Sequence, residues 1–116
     1  MADVTIYHNP SCSKSRETLE LIRARGIEPN VIEYLKTPPD AKTLSRLLIQ
    51  LGIDAADLLR KKEDEFSELS LANKLEDRKE LISAMVTHPI LIERPIVVCA
   101  DRACLGRPPE QVLEIL

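Results

Sequence analysis

The stretch around Cys12 constrains the fold of this chain more than any other. The apolar run at residues 4–7 predicts a short β-strand, and a helical pattern begins at Ser13 after a break at Asn9-Pro10. Cys12 lies at this junction, where the free N–H groups and the positive end of the helix dipole favour a thiolate. A lone cysteine is more often a buried structural residue. Because the neighbours here are serine, lysine and arginine, we interpret Cys12 as a reactive nucleophile.

The first part of the chain predicts a strand–helix–strand unit. The helix is expected over residues 13–25, with Gly26 where a helix C-cap belongs. A second apolar run at residues 31–34 predicts a strand that is parallel to the first, because one helix connects them by a right-handed crossover. These elements form a βαβ unit.

Helices are predicted for the middle of the chain. Thr37 can cap a helix and Pro38 suits its first position, so a helix is expected to begin there and to end at Gly52. The following region is less regular, with one short helix expected over residues 58–65. A further helix is expected over residues 77–87.

The last part predicts a helix-flanked hairpin. An apolar strand is expected over residues 90–99, although Arg94-Pro95 interrupts it. A proline inside a strand indicates an edge, a bulge or a cis peptide bond. A turn at residues 100–102, a returning strand at 103–105 and a final helix complete a ββα unit. We therefore expect a single α/β domain over residues 1–116 with a thioredoxin-like plan, in which Pro95 is a structural cis-proline beside the reactive cysteine.

Composition and charge exclude several classes of function. The net charge of −3 comes from interleaved acidic and basic residues, which argues against a nucleic-acid-binding face. No apolar run approaches the roughly 20 residues that span a bilayer, so no membrane partner is expected. The N-terminus lacks a signal pattern, and three cysteines at irregular spacing do not form a disulfide framework. We therefore expect a cytoplasmic protein with free thiols.

Four parts of the sequence together carry a specific resemblance. They are His8-Asn9-Pro10-x-Cys12-x-x-Ser15-Arg16, Arg60, Pro89-Ile90-Leu91-Ile92-x-Arg94-Pro95 and Gly106-Arg107-Pro108. In this combination the chain resembles the glutaredoxin-coupled arsenate reductase family over essentially its whole length. Better-characterised members have Gly-Thr after the cysteine, whereas this chain has Ser13-Lys14. It is therefore most similar to the housekeeping subgroup of arsenate reductase homologues.

The resemblance implies a thioredoxin-like fold and the reduction of arsenate to arsenite. Cys12 would attack arsenate or a similar oxyanion to form a cysteine–arsenate intermediate. The oxyanion would be held by Arg60, Arg94 and Arg107, and His8 would influence the surroundings of the cysteine. Glutathione as the reducing co-substrate, together with glutaredoxin, would supply the electrons.

The residue types alone leave some roles open. His8 could have its hydrogen bonds satisfied within a turn, or it could pair with the thiolate. Ser15 could cap the helix, or its hydroxyl could donate a hydrogen bond to the Cys12 sulfur. Each arginine, taken singly, is most often a solvated surface residue. Cys99 is expected in the core, and nothing suggests that it forms a redox pair with Cys104.

The chemistry at position 15 predicts dependence on an external thiol. A dithiol oxidoreductase would carry a second cysteine there to resolve its mixed disulfide, but this chain has Ser15. No metal, nucleotide or flavin site is apparent, so no bound cofactor is expected. Two other functions stay open: a thiol-dependent reductase of another substrate, and a non-catalytic thioredoxin-fold transcription regulator. The complete set of three arginines favours an enzyme over the regulator.

Overall fold

The computed structural model describes residues 3–116. Its strands and helices follow one another in this order: β1 (Val4–His8), α1 (Ser13–Ala24), β2 (Asn30–Glu33), α2 (Ala41–Leu51), α3 (Ala55–Leu58), α4 (Asp64–Glu68), a 3₁₀ turn (Leu71–Asn73), α5 (Arg78–Thr87), a second 3₁₀ turn (Pro89–Leu91), β3 (Ile96–Cys99), β4 (Arg102–Leu105) and a C-terminal 3₁₀ helix (Pro109–Ile115).

The chain forms two compact units. The first contains the described residues up to Thr37 together with Arg94–Leu116, and the second is Pro38–Glu93. The first unit carries the βαβ and ββα halves, and the second is the helical insertion between them. This α/β arrangement is the thioredoxin-like fold that the sequence predicts. The expectation of a single domain stays a prediction.

The sheet of the first unit has the strand order β2-β1-β3-β4. β1 is parallel to β2, as expected for strands that one crossover helix joins. β3 runs antiparallel to both β1 and β4. Along β1, Val4, Ile6 and His8 are buried while the alternate residues are half-buried. This alternation brings His8 to the end of the central strand, next to the start of α1.

An aliphatic core holds α1 against the sheet. Its buried members are Val4, Ile6, Ile22, Val97, Cys99 and Val112. The interpretation of Cys99 as a core residue is therefore confirmed. Burial of a large aliphatic side chain contributes roughly 1.5–3 kcal/mol, so this cluster stabilises the end of α1 that lies away from Cys12.

The second unit is built from helices that bury leucine-rich faces. α2 and α3 both pack on α5. The buried residues on these helices include Leu44, Leu47, Leu48, Leu58, Leu81, Ile82 and Met85. Among the described residues, no helix is long and apolar enough to cross a membrane.

The predicted start of α2 was wrong. The helix begins at Ala41, and Asp40 is its N-cap, with the Asp40 carboxylate accepting the backbone N–H of Thr43 at 2.8 Å. Thr37 and Pro38 lie outside the helix. Each of them precedes a proline, and the following proline ring disfavours helical backbone angles. The predicted end at Gly52 is confirmed, since Gly52 has a φ of 69°.

The short helix predicted over residues 58–65 was also wrong. α3 ends at Leu58, α4 begins at Asp64, and Leu59 between them pairs with Ile92 in an isolated β-bridge. The backbone N–H of Glu93 donates to the Leu58 carbonyl at 2.8 Å. Pairing with a distant segment therefore satisfies backbone groups that a local helix would otherwise have bonded.

The predicted strand over residues 90–99 is shorter than expected. Residues 89–91 form a 3₁₀ turn, and β3 begins only at Ile96, after the proline. Pro95 has no N–H to give to a sheet ladder, while its carbonyl accepts the N–H of Gly106 at 3.0 Å. The helical insertion therefore ends before Pro95, at Glu93, and β3 begins directly after the proline.

Candidate active site

Cys12 occupies the N-cap position of α1 and is half-buried. Its backbone N–H donates to the Asn9 carbonyl at 3.0 Å, and its own carbonyl accepts the N–H of Arg16 at 3.0 Å. The first bond closes a tight turn between β1 and the helix, and the second is the first bond of the helix. The nucleophile is therefore fixed by backbone bonds on both sides.

Two side chains hold the turn that leads into Cys12. The Asn9 side-chain oxygen accepts the backbone N–H of Ser11 at 3.0 Å. From one helical turn further on, the guanidinium of Arg16 donates to the Pro10 carbonyl at 2.8 Å. Arg16 was not predicted as a site residue, although its place in the motif made it visible in the sequence.

His8 and Ser15 form a buried pair beneath this turn. The His8 Nδ1 and the Ser15 Oγ are 2.6 Å apart, and the Ser15 Oγ also accepts the backbone N–H of Asn9 at 3.0 Å. Burial lowers the pKa of His8, and the charges of Arg23 and Arg16 add to this, while Glu33 opposes it. A neutral imidazole with its proton on Nε2 can accept a hydrogen bond from the Ser15 hydroxyl at Nδ1. The hydroxyl of Ser15 is thus bonded to His8 instead of to the Cys12 sulfur.

The surroundings of Cys12 lower the pKa of its thiol. Burial by itself would raise that pKa, but the backbone N–H of Ser15, a hydrogen bond from Arg94, the Arg94 charge and the backbone N–H of Lys14 together lower it. The pKa of the Cys104 thiol is instead raised by burial and by Glu114. Of these two cysteines, the structure therefore favours only Cys12 as a thiolate.

Two arginines from the end of the chain reach this thiol. Arg107 donates through its Nε to the Arg94 carbonyl at 2.8 Å, and its Nη2 lies 4.0 Å from the Cys12 sulfur. The Arg94–Pro95 peptide bond is cis, and so is the Arg107–Pro108 bond, which the sequence analysis did not predict. The site therefore combines a thiol with two planar cationic donors, a set suited to a tetrahedral oxyanion.

Because Gly106 has no side chain, the segment that carries Arg107 can lie close to α1 and to Pro95. A Cβ at this position would lie 2.5 Å from the Thr18 Oγ1 and 2.7 Å from the Pro95 Cγ. Thr18 is fully buried on α1, and its hydroxyl donates to the Lys14 carbonyl at 2.7 Å. Sequence reasoning missed Thr18, because a threonine in a helix carries no signal of a contact with distant residues.

We expect Gly106→Ala to loosen the site. The added methyl group must push the segment after β4 away from Thr18 and Pro95, which should cost roughly 1–3 kcal/mol of stability. It should also raise the pKa of Cys12, because Arg94 and Arg107 would withdraw from the sulfur. Thermal unfolding and the pH dependence of Cys12 alkylation measure the two effects.

Gly26→Ala is the matched control for this substitution. Gly26 has a φ of 78°, and no described residue beyond its chain neighbours comes within 4 Å of its missing Cβ. Its replacement therefore strains the backbone without touching the site. It should reduce stability and leave the alkylation profile unchanged. The same profile for wild type and Gly106→Ala would contradict the steric argument.

Arg60 belongs to the second unit. Its guanidinium pairs with Glu93 at 3.2 Å and with Glu63 at 3.4 Å, and its backbone N–H donates to the Leu91 carbonyl at 2.7 Å. The family resemblance implies that Arg60 binds the oxyanion, and these carboxylate partners were not predicted from the sequence. Its role in binding an oxyanion stays a prediction, whereas His8, Cys12, Ser15, Arg94 and Arg107 lie together in the first unit.

The lowered pKa of Cys12 predicts a specific pH profile. Only the thiolate reacts with iodoacetamide, so the alkylation rate should rise with pH through the pKa of Cys12 and then level off. We expect the midpoint below the ordinary cysteine value of about 8.5, so that the thiolate already forms at lower pH than in a free thiol. A midpoint at or above that value would contradict the proposed activation. Cys104→Ala removes the other half-buried thiol from the measurement.

Comparison with known proteins places this site in a family. The family model described as ArsC family matches residues 7–115. An Escherichia coli protein named uncharacterized protein YfgD is 57% identical over 114 residues, covering 97% of this chain and 96% of that protein. An E. coli arsenate reductase is 51% identical over 116 residues, covering all of this chain and 82% of that protein.

Solved structures agree with the sequence comparison. An arsenate reductase from Vibrio cholerae superimposes with a TM-score of 0.96 at 53% identity, covering 99% of this chain and 98% of that one. A putative arsenate reductase from Yersinia pestis gives a TM-score of 0.93 at 56% identity, covering 97% of this chain and all of that one. Since the match spans nearly the whole sequence and both folds coincide, this chain belongs to the ArsC family.

Proposed function

We propose that this protein is an arsenate reductase that uses glutathione and glutaredoxin as its source of electrons. The main support for the proposal is that the guanidinium groups of Arg94 and Arg107 lie close to the Cys12 thiol. Relatives at about 50% identity that carry the name arsenate reductase support the choice of oxyanion. The cytoplasm, where glutathione keeps thiols reduced, is the compartment that suits this chemistry.

In the first step, the Cys12 thiolate attacks the arsenic atom of arsenate. A sulfur–arsenic bond forms, and one arsenate oxygen takes up protons and leaves as water. Arg94 and Arg107 donate hydrogen bonds to the remaining charged oxygens, with Arg60 as a further proposed donor. Arginine suits this task because its planar fork stays charged and pairs with two oxygens at once.

In the second step, the thiolate of glutathione attacks the Cys12 sulfur. A disulfide bond forms, the sulfur–arsenic bond breaks, and its electron pair stays on arsenic, which is reduced from arsenic(V) to arsenic(III) and leaves as arsenite. A thiol of glutaredoxin then attacks the glutathione sulfur, and Cys12 departs as thiolate. In sum, one arsenate and two thiols give one arsenite, one disulfide and one water.

His8 and Ser15 act in this proposal as a support for the nucleophile. Their bond and the Asn9 N–H bond to the Ser15 Oγ hold the first turn of α1. In that position the backbone N–H groups of Lys14 and Ser15 face the Cys12 sulfur, where they stabilise its negative charge.

A coupled assay tests the proposed function. Arsenate, glutathione, glutaredoxin, glutathione reductase and NADPH are combined, and NADPH oxidation is followed with and without the protein. We expect arsenate-dependent oxidation that requires glutathione and glutaredoxin. Faster turnover of another oxyanion would identify a reductase of a different substrate. No turnover of any oxyanion, together with co-purification of an RNA polymerase subunit, would favour the regulator instead.

A further inference from the structure

A groove of about 600 Å³ runs along the outer face of α1. Its apolar part comes from Leu21 on the helix and Pro109 at the start of the C-terminal 3₁₀ helix. Three carboxylates surround this apolar part: Glu17 and Glu20 on α1 and Glu110 on the opposite wall. All three glutamates are exposed, so none of them belongs to the buried core.

This groove begins one residue after the nucleophile. Ser13, at one end of the groove, is the residue after Cys12. On the other wall, Pro109 follows Arg107-Pro108, and Arg107 reaches to 4.0 Å from the Cys12 sulfur. On both walls, the groove residues are therefore close neighbours in sequence of residues of the thiol site.

The charge of the groove is opposite to that of the thiol site. Arg94 and Arg107 make the surroundings of Cys12 cationic. Arg16 also lines the groove and donates to the Pro10 carbonyl, so three glutamates and one arginine leave the groove with a net charge of −2. Reactive cysteines of thiol-donor proteins also lie in electropositive surroundings. Two cationic thiol sites repel each other on approach, unless carboxylates beside one of them receive the basic residues of the other.

We propose that the groove of Glu17, Glu20 and Glu110 docks the protein thiol donor that regenerates Cys12, by receiving basic side chains that flank the donor's reactive cysteine. This inference rests on the proposed function, because that function requires an external thiol. Free glutathione carries two carboxylates and one ammonium group, so the acidic groove disfavours it as an occupant.

The docked donor carries out a defined exchange. Its thiolate attacks the glutathione sulfur of the Cys12–glutathione disulfide. A new disulfide forms between donor and glutathione, the old disulfide breaks, and Cys12 leaves as thiolate. The surroundings of Cys12 lower the pKa of its thiol, and a thiol with a lower pKa is a better leaving group. The docking surface then has to place the donor thiol in line with the disulfide.

Charge reversal in the groove tests the docking surface without arsenate. Cys12 is first converted to its glutathione disulfide in a Cys104→Ala background. Its reduction is then followed by intact mass spectrometry with either of two reductants: reduced glutaredoxin that has basic residues beside its cysteine, or dithiothreitol, which is small and uncharged. The variant is Glu17→Lys/Glu20→Lys. The matched control is Asp3→Lys/Asp101→Lys, which makes the same change in net charge at the opposite end of the sheet, where Val4 pairs with Cys99.

We expect the groove variant to lower the second-order rate constant with glutaredoxin about tenfold at low ionic strength, with a smaller loss at high salt. The dithiothreitol rate and the control variant should match wild type. A glutaredoxin whose flanking basic residues are changed to glutamate should recover the lost rate with the groove variant.

Three outcomes would overturn the inference. These are an unchanged glutaredoxin rate in the groove variant, an equal loss with dithiothreitol, and an equal loss in the control variant. Because the disulfide is prepared without an oxyanion, failure of the arsenate assay would reject the proposed function and leave this measurement intact.

Discussion

Replacement of Cys12 by serine is expected to reduce oxyanion turnover by at least about 10³-fold, because it removes the nucleophile. A serine hydroxyl is not ionised at neutral pH, and its oxygen cannot form the disulfide with glutathione whose formation leaves two electrons on arsenic in the proposed cycle. The coupled NADPH assay measures the loss. Since the Cys12 side chain is only half-buried, the melting temperature should stay close to that of wild type.

Cys104→Ser serves as the matched control for this substitution. Cys104 is half-buried on β4, and burial raises the pKa of its thiol. The control variant should therefore keep wild-type turnover. Residual activity of Cys12→Ser near the wild-type level would show that another group attacks the oxyanion, and the proposed mechanism would be wrong.

Replacement of Arg94 is expected to have the second largest effect. Arg94→Lys keeps a positive charge but loses the planar fork, so kcat/KM should fall roughly tenfold or more if one charge-assisted bond of about 1.5–3 kcal/mol is lost. Arg94→Ala removes the charge as well, and a loss of about 10²-fold is expected for a missing transition-state donor. Steady-state kinetics at several arsenate concentrations measure both losses.

Arg94→Ala should also raise the pKa of Cys12, because the hydrogen bond and the charge of Arg94 both lower it in the wild-type protein. The alkylation profile should therefore shift to higher pH. Arg102→Lys is a suitable control, since Arg102 is exposed and pairs with Cys99 at the far end of β3. Unchanged kinetics and an unchanged alkylation profile in both Arg94 variants would remove Arg94 from the site.

Local sequence was sufficient to predict the part of the site that forms around Cys12. The apolar run of β1, the break at Asn9-Pro10 and the helical pattern from Ser13 are short-range signals. Any chain that follows a strand directly with a helix leaves free N–H groups at the first turn. The position of Cys12 at the start of α1 follows from this neighbourhood, whereas the lowering of its pKa also depends on the distant Arg94.

In the middle of the chain, local sequence signals predicted a helix that the structure does not contain. Charged residues around Arg60 suggested a solvated helix, but in the structure Leu59 pairs with Ile92 and the Arg60 guanidinium pairs with Glu63 and Glu93. Propensity over a few residues is a weak preference, and backbone bonding to a distant segment outweighs it. The proline signals at the start of α2 were misread in a similar way.

By itself, then, the sequence determined the βαβ and ββα order of elements and the position of Cys12 at the start of α1, because strand periodicity and helix caps act over a few residues. Only the tertiary structure decided that Ser15 bonds to His8 and that Arg107, 95 positions after Cys12, reaches its sulfur. The Arg107 contact depends on the register of β3 and β4, and on the missing side chain of Gly106, which lets the segment after β4 approach α1. Register and close approach are set by packing between distant segments.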